Sequence, residues 1–187
     1  MPNKVKYGLS QVFYAKATIS TAGTATYGTP VAIPGAVNLT LDAESETTPF
    51  YADNITYYTS VSNNGYSGSL EVAIIPDSFL ADIFGDTTTA NGLMYEKVDV
   101  EPAHFALLFQ FEGDASKTRH VFYNCVATRP SVSSQTKENS VTPVTETMNI
   151  TANAIYNSAV TASIVKGKAD SATTAYSSWY TAVVQPT

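Results

Sequence analysis

The chain has a single cysteine, Cys125, in 187 residues, so it cannot close an internal disulfide and does not read as a disulfide-stapled secreted module. No apolar run approaches the roughly 20 residues that a membrane-spanning helix needs. Met1-Pro2-Asn3-Lys4-Val5-Lys6 lacks the apolar core of a secretory leader and runs straight into a strand pattern, so synthesis and folding are expected in the cytosol. Charged residues are scarce, at 14%, which fits a surface that neighbouring subunits cover. Bases are outnumbered by acids, 10 to 16, and form no basic stripe, which argues against nucleic-acid binding by phosphate neutralisation.

The signatures of catalysis are missing too. The sequence holds neither a Gly-x-Ser-x-Gly nucleophile elbow nor a Gly-x-x-x-x-Gly-Lys phosphate loop. His104, His120 and Cys125 are the candidate metal ligands, but pairing His104 with Cys125 across a hairpin leaves fewer than the three or four ligands that zinc takes. Cys125 lies mid-strand and reads as a small buried hydrophobe rather than a nucleophile. Asp42, Glu44 and Glu46 fall on one side of a strand and read as a solvated face, as does Asp99 with Glu101. The expectation is a protein that is no enzyme, with no catalytic residue, cofactor or metal.

What the chain does have is β-forming residues. Thr, Ser, Val and Ala are abundant, with twelve Tyr and eight Phe, enough for a real core. The length fits one domain over residues 1–187. Its organising stretch is residues 65–85, where Leu70, Val72 and Ile74 alternate with Ser69, Glu71 and Ala73 as in a half-buried strand. Pro76 stops it. Asp77 then serves as N-cap for a short helix with Phe79, Leu80, Ile83 and Phe84 on one stripe, and Gly85 closes it in the left-handed conformation. Further strands are expected at Val37–Leu41, around Phe105, Leu107, Phe109 and Phe111, at Arg119–Val126, and along Glu146, Met148, Ile150 and Ala152. Ala172, Ala175, Tyr176, Trp179, Tyr180 and Val183 share a face at helical spacing, so residues 170–184 read as a second helical segment or a distorted last strand. The fold class is mainly β: a sandwich or barrel of about eight strands with one or two short helices packed on it.

Residues 42–64 stand apart. They carry Asp42, Glu44, Glu46 and Asp53 with no base, and add Phe50, Tyr51, Tyr57 and Tyr58. The stretch is too long for a tight hairpin loop and too aromatic for simple disorder. It reads as a long arm or extended hairpin that packs on a neighbour, or as a loop folded back on its own sheet. Charge is segregated around it: +3 over residues 1–41, −12 over 42–114 and +3 over 115–187, for a net −6. Such blocks complement each other between identical subunits or neutralise within one. The candidate subunit-interface residues are therefore Lys4, Lys6, Glu44, Glu46, Phe50, Tyr51, Asp53, Tyr57 and Tyr58.

Three blocks carry a family resemblance: residues 65–85; Phe105–Phe111 followed by Arg119–Ser131; and Glu146–Ala154 followed by Ser178-Trp179-Tyr180. In this order and spacing they resemble the major tail protein, or tail tube protein, of long-tailed siphovirus-type bacteriophages of Gram-positive hosts. The resemblance implies a β-sandwich subunit that forms hexameric rings. The rings stack into a tube around a tape-measure protein, and sheets of all subunits join into an inner barrel through which the genome passes. Tail-tip and tail-terminator proteins are the other implied partners, with the virion tail as location, the host cytoplasm as the place of assembly, and no membrane partner. Genomic DNA would transit without specific binding, since an acidic lumen repels phosphate. No immunoglobulin-like decoration domain follows in this sequence, so none is expected. The runner-up is a β-sandwich binding module, an adhesin or carbohydrate-binding domain, with Tyr51, Tyr57 and Tyr58 stacking on sugar rings; the tube of contractile injection systems is a more distant third.

Overall fold

The computed structural model describes residues 7–136 and 143–187. Thirteen strands occur among these residues: β1 (Leu9–Ile19), β2 (Ala25–Tyr27), β3 (Val31–Ala32), β4 (Ala36–Ala52), β5 (Ile55–Val72), β6 (Thr87–Thr88), β7 (Met94–Tyr95), β8 (Phe105–Phe111), β9 (Arg119–Ala127), β10 (Glu146–Ala152), β11 (Ile155–Asn157), β12 (Ala162–Ile164) and β13 (Lys166–Ala169). One α-helix, α1 (Asp77–Phe84), follows β5. The main sheet runs β2-β1-β8-β9-β10-β5-β4, with β3 added to β1 and β13 to β9. Its pairs are antiparallel, and it does not close into a barrel among the described residues, so the architecture is sandwich-like. The excess over eight strands comes from pieces of two to four residues, too short to leave a periodicity in the sequence.

Strand β9 makes the corner between layers. Its first half, Arg119–Phe122, pairs with β13, while Cys125–Ala127 pairs with β10 on the same edge. The register against β8 slips between Phe105 and Leu107. Such a slip bends a strand and raises its twist.

Strands β8 and β9 are buried on both faces over most of their length, where alternation suggested one buried face. Phe105, Leu107, Phe109, Phe122 and Cys125 belong to a first core, with Leu70 and Val72 of β5, Met148 and Ile150 of β10, and Phe79, Ile83 and Phe84 of α1. Ala106, Leu108, Val121 and Tyr123 point the other way into a second core with Ile155 and Trp179. Helix α1 docks as its stripe requires, and Gly85 closes it at φ 72°. The cap differs from expectation: Pro76, not Asp77, occupies the N-cap position, in extended conformation and without a side-chain bond, and Asp77 sits in the first turn. β5 also stops at Val72, two residues before the expected end, so Ile74 is 72% exposed and Ile75 is buried in its place.

Residues 170–184 hold one 3-10 turn, Thr174–Tyr176, among other turns. The apolar spacing still packs: Trp179 is buried, and Ala175, Tyr180 and Val183 lie against the second core. A regular helix does not form because hydroxyls satisfy the backbone locally. Thr173 donates to the Asp170 carbonyl, Ser177 to Thr174 and Thr181 to Ser178. Local bonds of this kind compete with helical ones. Arg119 clamps the segment: its guanidinium lies 3.6 Å from the Tyr176 ring centre and 4.5 Å from that of Tyr180, and donates to the Tyr176 carbonyl at 2.5 Å. Tyr180 in turn stacks on Phe13 at 4.5 Å. Arg119→Ala is expected to cost about 2 kcal/mol and free the segment for proteolysis, with Arg119→Lys no substitute because the planar stack is lost. Limited proteolysis with mass spectrometry reads this; cleavage unchanged from wild type would refute it.

Candidate assembly surface

Strands β4 and β5 form one hairpin of two unequal parts. From Ala36 to Ala43 on β4 and Tyr66 to Val72 on β5 the hairpin belongs to the body, because β10 pairs the other edge of β5 as far as the Ala152–Tyr66 pair. Beyond Tyr66, β5 has only β4 as neighbour among the described residues, and the hairpin leaves the body as a two-stranded ribbon. The eight residues from Ser45 to Ala52 extend it by roughly 27 Å at the usual rise per residue. At the tip Ala52 pairs with Ile55, and the linking Asp53 and Asn54 have φ 53° and 60°. Two left-handed residues make the tight turn whose twist matches a hairpin, and Asp and Asn tolerate that region.

The register between the strands slips at Val37, at Glu44 and beside Tyr51. The first slip throws Val37 out of the expected half-buried series, leaving it 53% exposed. The second interrupts the alternation that put Asp42, Glu44 and Glu46 on one side. It also marks the elbow where the ribbon departs. There Glu44 accepts from the Ser67 hydroxyl, and the Gly65 N–H donates to the Asn63 side-chain oxygen at 3.2 Å. Gly65 has φ 106°, and a Cβ on it would stand 2.2 Å from the Ala152 carbonyl oxygen. Gly65→Val is thus expected to destabilise the subunit by about 3 kcal/mol or more. Gly92→Ala, at φ 85° with open space around it, should cost only about 1 kcal/mol. Urea unfolding of both tests the pair; equal losses would show that close approach at the elbow is unimportant.

No residue of 42–64 is buried in the subunit. The structure brings Phe50, Tyr51, Asp53, Tyr57 and Tyr58 together at the ribbon tip, with Phe50 opposite Tyr58 and Tyr51 opposite Thr56. Phe50, Tyr51, Tyr57 and Tyr58 are 60–71% exposed. Ile55, 62% exposed, joins them at the tip, and Val61, 67% exposed, lies farther down opposite Thr47; both were missed in the sequence, although each is an apolar residue inside the segment already read as projecting. Glu46 lies farther down the ribbon opposite Ser62, and Glu44 sits at the elbow. Lys4 and Lys6 lie outside the described residues. Contiguous exposed apolar surface of this kind marks an interaction site.

The remaining candidates for chemistry disperse. His104 faces Asn124, Nδ1 to Oδ1 at 2.6 Å, and the residue across from Cys125 is Phe105. Cys125 is fully buried, and burial pushes its thiol up to about 12. Burial likewise pushes the Tyr14, Tyr123 and Tyr180 phenols up to about 12. No group of three or more potential ligands gathers among the described residues. No helix among them is long and apolar enough to cross a membrane. The family model described as "Phage tail tube protein" matches residues 2–187. No curated protein matches the chain.

Proposed function

This chain belongs to the phage tail tube protein family, and we propose that its copies close into hexameric rings which stack into the tail tube of a siphovirus-type phage of a Gram-positive host. The family makes it a structural protein of the virion tail that assembles with itself and other tail components. In our reading each subunit is a single domain with an arm at 42–64 and a C-terminal segment at 170–184 held on it. The rings enclose a tape-measure protein, end on tail-tip and tail-terminator proteins, assemble in the host cytoplasm, and pass the genome through a lumen to which DNA does not adhere.

The observation that carries this reading is the ribbon: some 27 Å of antiparallel ladder that the described residues of the subunit do not cover, ending in exposed aromatics. Exposed strand edges and apolar tips are hazards for a monomer and bonds in an assembly. Glu44, Glu46, Phe50, Tyr51, Asp53, Tyr57 and Tyr58, with Lys4 and Lys6 of the N-terminus, supply the contacts between subunits. Head-to-tail contacts that do not close along the axis give a filament.

Negative-stain electron microscopy at rising concentration, with light scattering for mass, tests it. Sixfold rings and hollow tubes are the expected result. A strictly monomeric species that binds glycans through Tyr51, Tyr57 and Tyr58 would overturn it in favour of a binding module.

A further inference from the structure

We propose that the ribbon tip of one copy seats in a groove at the ribbon base of another, between Leu39, Leu41 and Tyr66 on one wall and Phe109 and Phe122 on the other, with Lys166 at its mouth. The inference rests on the self-assembly just proposed and names the acceptor for the arm.

The groove is open, with a volume of about 250 Å³. That lies below the roughly 300–1,000 Å³ of small-molecule sites and suits side chains. Leu39, Leu41 and Tyr66 are half-buried and leave apolar surface uncovered, within a groove whose exposed lining is about as polar as it is apolar. The ribbon tip offers the matching surface in Phe50, Tyr51, Tyr57 and Tyr58, each more than half exposed.

Charge agrees with shape. Lys166 lies over the Tyr66 ring, its Nζ 4.5 Å from the centre. It and Lys168 are exposed on β13, and neither forms an ion pair among the described residues. Asp53 at the ribbon tip is exposed and likewise forms none among them. A tip of tyrosines and Asp53 meeting a groove of mixed polarity with a basic mouth is complementary in both respects, since a tyrosine presents an apolar ring and a polar hydroxyl together.

The occupant must be a second copy. The groove wall is the base of the ribbon itself, and the tip is held away from it by a continuous antiparallel ladder. Folding back onto its own groove would break that ladder.

The test mixes two single-site variants, Tyr57→Cys and Leu41→Cys, assembles them and adds a short bis-maleimide. The native Cys125 is silent because it is fully buried. Covalent dimers are expected from the assembled mixture, and none from either variant alone, from dilute unassembled protein, or from Tyr57→Cys mixed with Val98→Cys. A separate arm needs no cysteine: Lys166→Glu should raise the concentration needed for assembly about tenfold, and Asp53→Lys in the same chain should restore it. Tubes that form without the 57–41 cross-link, or a cross-link to residue 98 instead, would overturn the groove assignment while leaving tube formation intact. An unmodified chain that never assembles would take down the functional reading beneath it.

Discussion

Deleting residues 47–58 is expected to abolish tube assembly while leaving a folded, soluble subunit. The geometry of the cut favours folding. Glu46 pairs with Ser62, so the shortened hairpin closes through Thr59, Ser60 and Val61, a three-residue loop within the usual hairpin range of about 2–5. None of the deleted residues is buried. Stability should therefore change by no more than about 0.5 kcal/mol, as for surface changes in general. Association should change far more. Removing Phe50, Tyr51, Ile55, Tyr57 and Tyr58 deletes most of the apolar tip; if an assembly buries three such side chains, roughly 5 kcal/mol or more is lost, which is over a thousandfold in the association constant. Circular dichroism melting and electron microscopy read the two halves separately. A deletion variant that melts normally and still forms tubes would refute the role given to the arm.

Residues 42–64 stood out in the sequence by what they lacked. Acids without bases, plentiful aromatics and a length no tight turn needs mark residues 42–64, and this stretch is drawn out as an exposed two-stranded ribbon. Its shape was less legible. Asp53-Asn54 is a turn pair, yet the bulge beside Tyr51 and the slip at Glu44 depend on how two strands meet, and no single strand records that. The body divides in the same way. Met148, Ile150 and Ala152 of β10 alternate strictly with exposed residues because one face meets the core, and periodicity finds such strands. β8 was legible as a strand from Phe105, Leu107, Phe109 and Phe111, but the burial of Ala106 and Leu108 was not, because it depends on a distant C-terminal segment packing over them. That segment showed its apolar spacing through Ala175, Trp179 and Tyr180 while its backbone did otherwise, since spacing reports which residues face inward and hydroxyl competition decides the path. His104 and Cys125 illustrate the limit from the other side: a one-residue ambiguity in hairpin register decided whether they could meet, and the register places Phe105 opposite Cys125.

Phe79→Asp should unfold the subunit outright. Phe79 is the hub of α1 and is 0% exposed. Its ring meets Tyr14 at 4.9 Å, Phe105 at 5.4 Å and Phe84 at 5.8 Å, each edge to face. An aspartate there removes the aromatic packing and buries a carboxylate among the rings of Tyr14, Phe84 and Phe105. Losing a buried Phe costs about 3–5 kcal/mol, and burying an unpaired charge adds several more, against a total stability of about 5–15 kcal/mol for a typical domain. The helix cannot simply swing out, because two turns are not stable in water without a dock. Cys125 supplies the readout: its thiol should resist modification in the wild type and react at once in the variant. Ile74→Asp is the matched control, the same charge placed five residues earlier on a side chain that is 72% exposed, and its thiol should stay protected. Protection retained in Phe79→Asp would mean that α1 does not seal the first core, and the packing order from β5 through the helix to β8 would have to be redrawn.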